Sequence, residues 1–149
     1  MNLQHGNTNM SLIEGKEPRI LIIEDTPISR KILEVFCDNN GFKNYITAVN
    51  GAQGIEEFKR GCDLVILDIG LPDISGIEIC RFIREYESIN SLEYTPIIIQ
   101  SANGNSMLAA AIQAGASFAM QKPFSFEKLR EVMQFWLNHS VEKEVKNGF

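Results

Sequence analysis

The stretch DLVILDIGLPDISG, Asp63 to Gly76, runs an apolar segment into a carboxylate, Asp68, and follows it with a Pro-Asp turn and a glycine. Leu64 to Leu67 are apolar on consecutive positions, as in a strand covered on both faces of a parallel sheet. An acid is a poor occupant of a strand interior. Asp68 is therefore expected where the strand emerges from the core, at the edge where α/β sheets meet their ligands.

Working outward, four more short apolar runs appear: RILIIE, YITAV, PIIIQS and SFAMQ. Amphipathic segments separate them, the pattern of βα units around a parallel sheet. Ile28, Ile32, Val35 and Phe36 recur at helical spacing and are the expected buried stripe of a first helix, which DNNG (Asp38 to Gly41) stops. GAQGIEEFKRG predicts a second helix with Ile55 and Phe58 on one side, weakened by its interior Gly54. SGIEICRFIREYE, NSMLAAAIQAG and SFEKLREVMQFWLNH complete the set, with Leu129, Val132, Met133 and Trp136 on one stripe of the last. These stripes are read as core packing, not as a cofactor box. EYESINSLEYTP is longer than the usual αβ connection, and the third helix is expected to run into it.

A chain of 149 residues, 44% hydrophobic, suits one domain with its own core. Its formal net charge of -5 argues against a nucleic-acid partner, which would need a basic face. Cys37, Cys62 and Cys80 are odd in number, lack a Cys-x-x-Cys pair and read as small buried hydrophobes in a reducing compartment. No apolar run approaches the roughly 18 residues of a membrane span, and the N-terminus lacks the features of a signal peptide. A cytoplasmic protein with no membrane partner is expected. Residues 1–18 are polar and read as a mobile arm, 19–139 as the folded domain, and 140–149 as a tail that frays from the last helix. His5 and His139 are expected at the surface.

The chemistry lies in the polar residues just past the apolar strands. Glu24, Asp25 and Thr26 come after the first, Asp68 after the third, Ser101 to Asn103 after the fourth, and Lys122 to Phe124 after the fifth. In a parallel sheet those ends share one edge, so three carboxylates, a hydroxyl and an ammonium converge there. Crowded acids repel unless a cation joins them or a pKa rises. Magnesium fits best, since it prefers oxygen ligands and is commonly held by one or two carboxylates while it contacts a phosphate. No thiolate or imidazole cluster favours zinc or copper. With magnesium bound, one carboxylate can attack phosphorus, Lys122 can balance the added charge, and Ser101 can hydrogen-bond a phosphoryl oxygen.

In these residues the chain resembles the receiver domain of two-component response regulators, over essentially Arg19 to His139. The resemblance rests on Glu24-Asp25 in IIEDTPISR, Asp68 in LVILDIGLPDISG, Ser101 in IIIQSAN and Lys122-Pro123 in AGASFAMQKPF. It implies a doubly wound, five-stranded parallel sheet in the order 2-1-3-4-5 with five helices. It further implies Asp68 as phosphoacceptor, Asp25 as direct magnesium ligand, Glu24 acting largely through metal-bound water, and the Gly70 carbonyl as a third contact. Pro72, Asp73 and Gly76 would shape the loop into the third helix. Ser101 would track the phosphoryl group, Lys122 would be its cationic partner, and the Lys122–Pro123 bond would be cis. One position departs: where the family carries Tyr or Phe, three residues before the lysine, this chain has Ala119, and strand alternation points the adjacent Phe118 to the other face.

The function implied is that of a stand-alone response regulator, phosphorylated on Asp68 by a sensor histidine kinase and signalling through altered contact with a downstream effector protein. A phosphorelay intermediate, passing phosphate to a histidine phosphotransfer protein, is the alternative within the family. Neither is a turnover enzyme on an external substrate. An aspartate-nucleophile phosphatase would need a second acid where DIGLP has none, and a flavin carrier would meet repulsion at EDTPIS.

Overall fold

The computed structural model describes residues 17–147, with side chains described through His139. Strands β1 (Ile20–Ile23), β2 (Tyr45–Ala48), β3 (Leu64–Asp68), β4 (Ile97–Ser101) and β5 (Phe118–Gln121) form one parallel sheet in the order β2-β1-β3-β4-β5. Helices α1 (Pro27–Asn39), α2 (Gly51–Lys59), α3 (Gly76–Ile89), α4 (Asn105–Gln113) and α5 (Phe126–Asn147) alternate with the strands. The expected fold class and strand order are those observed. Apart from Glu17 and Pro18, the arm read at 1–18, including His5, lies outside the described residues.

Every residue of β1, β3 and β4 is buried, which is why these runs show no polar alternation. Their period of two instead sorts them between two cores. Leu21, Ile23, Val65, Leu67, Ile97 and Ile99 pack with residues of α2, α3 and α4. Ile20, Ile22, Leu64, Ile66, Ile98 and Met120 pack with Leu33, Phe36 and Cys37 of α1 and with Leu129 and Met133 of α5.

The stripe expected on α1 is corrected. Ile28, Ile32 and Val35 are exposed at 73%, 45% and 42%, whereas Leu33, Phe36 and Cys37 are buried. Two apolar stripes meet at Phe36, and the Leu33–Cys37 side turns inward because it packs with Ile20, Ile22, Leu64 and Ile66 of the sheet and with Leu129 and Met133 of α5. The reading of Gly54 as a weak point also changes. A Cβ there would lie 2.5 Å from Ile23 Cδ1, so the glycine lets α2 settle onto β1. The third helix does run into the long connection, ending at Ile89, and α5 continues past His139 to Asn147.

At Gly76, the first residue of α3, a Cβ would lie 2.5 Å from the Asp68 carbonyl oxygen and 2.8 Å from Ile69 Cα. Both are backbone atoms, so no side-chain rotation relieves the clash. Gly76→Ala should therefore destabilise the fold by about 1–3 kcal/mol, despite alanine's better helix propensity. The midpoint of urea unfolding reads this directly, and an unchanged or higher midpoint would show that the Asp68 loop yields freely.

Candidate functional site

The inner layer next to α1 and α5 contains Ile22, Ile66, Ile98 and Met120. Two residues further along each strand, the period of two brings Glu24, Asp68, Gln100 and Lys122 to the same face. Register agrees: Asp68 pairs with Gln100, and Ile23 with Leu67 one step before Glu24 and Asp68. An apolar layer thus gives way, in one step, to a polar row at the carboxyl edge.

Lys122 Nζ stands 3.3 Å from Glu24 Oε1 and 3.3 Å from Asp68 Oδ1. Glu24 is fully buried and Asp68 is 7% exposed, while Asp25, just past β1, is half-buried. Carboxylate oxygens of Glu24, Asp25 and Asp68 all lie within 4.8 Å of one another. Burial pushes the Glu24 carboxyl above its ordinary range; the Asp68 charge adds to this, and Lys122 and the Thr26 N–H oppose it. Burial likewise raises Asp68; Lys122 opposes this most strongly, Asp25 adds to it, and the Gly70 N–H also lowers it. Two buried acids pushed toward protonation, with a third beside them, form an all-oxygen donor set short of positive charge. That matches a hard divalent cation, as the sequence led us to expect.

Ser101 is buried at the end of β4, but its Oγ accepts the Asn103 N–H at 2.9 Å and, among the described residues, is engaged by its own loop instead of by Asp68 or Lys122. It falls one residue past Gln100 and so belongs to the opposite face of the sheet. Ala119 lies against the α2–α4 core and Phe118 against the α1–α5 core, so the two point apart as alternation required. The Lys122–Pro123 peptide is cis.

Two contributors, Gln100 and Arg30, escaped the sequence reading, and a third, Asp73, has a wider role than it was given. Gln100, 2% exposed, donates from Nε2 to Glu24 Oε1 at 3.4 Å. Its signal was a lone amide inside PIIIQS, two residues from Ile98. Arg30, in the first turns of α1, donates to the carbonyls of Glu24 (2.9 Å) and Asp25 (3.1 Å), pinning the backbone that carries both acids. Asp73 was read as shaping its own loop; its carboxylate also accepts the Gly51 and Ala52 N–H groups at 2.8 and 2.9 Å, capping α2 from the loop after Asp68. These bonds hold the Asp73 carboxyl below its usual range.

Fold and site together define a receiver. The profile of the "Response regulator receiver domain" family matches residues 20–134, and the chain belongs to that family. It is 36% identical over 122 residues to the chemotaxis protein CheY of Bacillus subtilis, covering 80% of this chain and 98% of that protein. The receiver domain of the Saccharomyces cerevisiae response regulator Ssk1, solved with the histidine phosphotransfer protein Ypd1, is 27% identical, with a TM-score of 0.74 over 80% of this chain and 88% of that one. The CheX-CheY-BeF3-magnesium complex from Borrelia burgdorferi offers a chain 25% identical, with a TM-score of 0.75 over 87% of this chain and 98% of that one.

The raised carboxyls give a pH test. Without a divalent cation, Glu24 and Asp68 favour the folded state while protonated; that contribution is present below the ordinary carboxylate range and is lost as pH rises through the raised values. A cation that neutralises the ionised pair should therefore raise Tm more near pH 7 than near pH 4. Differential scanning fluorimetry with and without magnesium measures the two shifts, and shifts of equal size would show that the cation does not engage these acids.

Proposed function

We propose that this receiver accepts a phosphoryl group on Asp68 from a phosphohistidine of a sensor histidine kinase or a histidine phosphotransfer protein. An Asp68 oxygen attacks phosphorus, the P–N bond breaks, the imidazole leaves and takes up a proton, and the carboxylate becomes an acyl phosphate. The observation that carries this reading is a nearly buried carboxylate at a strand end, 3.3 Å from an ammonium and flanked by two further acids. Asp25, Asp68 and the Gly70 carbonyl would hold magnesium, with Glu24 behind them. When bound, the cation supplies positive charge to offset that on the nucleophile and the phosphoryl oxygens.

Lys122 already bridges Glu24 and Asp68 and needs only a short swing to meet a phosphoryl oxygen. The Ser101 hydroxyl donates to the Asn103 carbonyl at 3.4 Å and would redirect that hydrogen to such an oxygen, which ties its movement to that of the loop it begins. Asp68 is thus a single-turnover acceptor rather than the nucleophile of an enzyme acting on an external substrate, since DIGLP has no second acid to protonate a leaving group. Among the described residues no helix is long and apolar enough to cross a membrane, in keeping with a cytoplasmic signalling protein.

Output by protein contact is supported by α1. Its first turn leaves the site directly after Thr26, and Ile28, Ile32 and Val35 present an exposed apolar face beside it. The neighbour solved with a phosphotransfer protein supports a phosphorelay role as the second reading.

Incubation with acetyl phosphate and magnesium should add one phosphoryl group to the intact mass, mapped to Asp68, and Asp68→Asn should take up none. Unchanged labelling of the variant, or full labelling of the wild type without any divalent metal, would overturn the assignment.

Ala119 yields a separate expectation. A methyl group cannot vacate or fill space beside the fourth strand as a ring does, so conformational change on loading should centre on the loops 69–76 and 102–105. Amide hydrogen exchange with beryllofluoride and magnesium should show protection there and little change along α4 and α5. Equally large changes throughout both helices would show that another residue performs the ring's role.

A further inference from the structure

Gln100 is the one uncharged member of the polar row, and its environment gives it a task. It is 2% exposed, it comes directly after the apolar run Ile97–Ile99, and it pairs in register with Asp68. A carboxamide is unfavourable in such a place unless its polar atoms find partners. Its Nε2 lies 3.4 Å from Glu24 Oε1, the same oxygen that Lys122 Nζ approaches at 3.3 Å. The other oxygen, Oε2, accepts the Thr26 N–H at 3.3 Å.

One Glu24 oxygen therefore has two donors, and one of them is shared with the phosphoacceptor. When Lys122 turns toward new phosphoryl oxygens on Asp68, it withdraws from Glu24 Oε1. A fully buried carboxylate oxygen left without a donor is costly, so that cost would oppose the swing. We propose that Gln100 is a positioning residue: its buried amide holds Glu24 Oε1 in place while Lys122 is released to the phosphoryl group. The amide bears no net charge, so it can stay on Glu24 in both states without competing for the phosphate. It also keeps Glu24 aimed along the edge toward Asp25 and Asp68.

This inference rests on phosphorylation of Asp68, and its test separates the two. Gln100→Met keeps the length of the side chain and removes the donor. In the full-length chain with magnesium, calorimetric titration with beryllofluoride should show affinity reduced about ten-fold, the size expected for losing a donor to a buried charge. Labelling by acetyl phosphate should slow in parallel. In a Glu24→Gln background, Gln100→Met should have little further effect, because the amide acts through the Glu24 charge. A packing role would instead give the same loss in both backgrounds, and that outcome overturns the proposal. So does a Gln100→Met variant that binds beryllofluoride and labels as wild type does. If wild type itself neither binds beryllofluoride nor labels, the phosphoacceptor reading falls and takes this one with it. Should Gln100→Met fail to fold by thermal melting, Gln100→Asn, which keeps the amide but withdraws it by one methylene, is read against the same two backgrounds.

Discussion

The ammonium of Lys122 stands 3.3 Å from two carboxylates that burial pushes toward protonation, and the site depends on that bridge. Removing either acid from water disfavours its charged form; bringing them together disfavours it further. One cation offsets part of both penalties and leaves a demand for more positive charge at Asp25. The same imbalance that makes the site costly as a piece of protein suits it to a small, hard cation.

Such an arrangement is tolerable only on a rigid support. The strands beneath it are buried through β1, β3 and β4, and the layer directly below the row is Ile22, Ile66, Ile98 and Met120. Each polar side chain is thus the continuation of a packed strand, with its direction set by the pleat rather than by a loop. The loops add local restraint. Arg30 fixes the carbonyls of Glu24 and Asp25, Asp73 ties the loop after Asp68 to the start of α2, and Gly76 allows α3 to begin against the Asp68 backbone.

Much of this could be read from the chain itself. Strand runs such as LVILD and IIIQS, each ending in a polar residue, marked both the parallel sheet and its functional edge, because a residue that ends a buried strand must face either core or ligand. What was lost concerns rotation and partner choice. The α1 pattern permits two stripes through Phe36, and only packing with the sheet and with Leu129 and Met133 of α5, far along the chain, decides between them. Gly54 carries a propensity cost in isolation, yet contact with Ile23 makes its missing Cβ necessary. Gln100 was overlooked because a lone amide in a strand has no local pattern; it acquires meaning only when register sets it beside Asp68 and its row reaches Glu24.

The two faces of the sheet also divide the labour. Glu24, Asp68, Gln100 and Lys122 belong to the α1–α5 face, whereas Ala119 lies against the α2–α4 core, and Ser101, one residue past Gln100, falls on that same side. Across β4 the two faces meet at adjacent residues, Gln100 and Ser101, which point opposite ways. On the α4 side, Ala119 presents only a methyl group beside β4, and a methyl group has no rotamer to rearrange. The exposed apolar face of α1 adjoins the loop that carries Asp25 and needs no relay across the sheet.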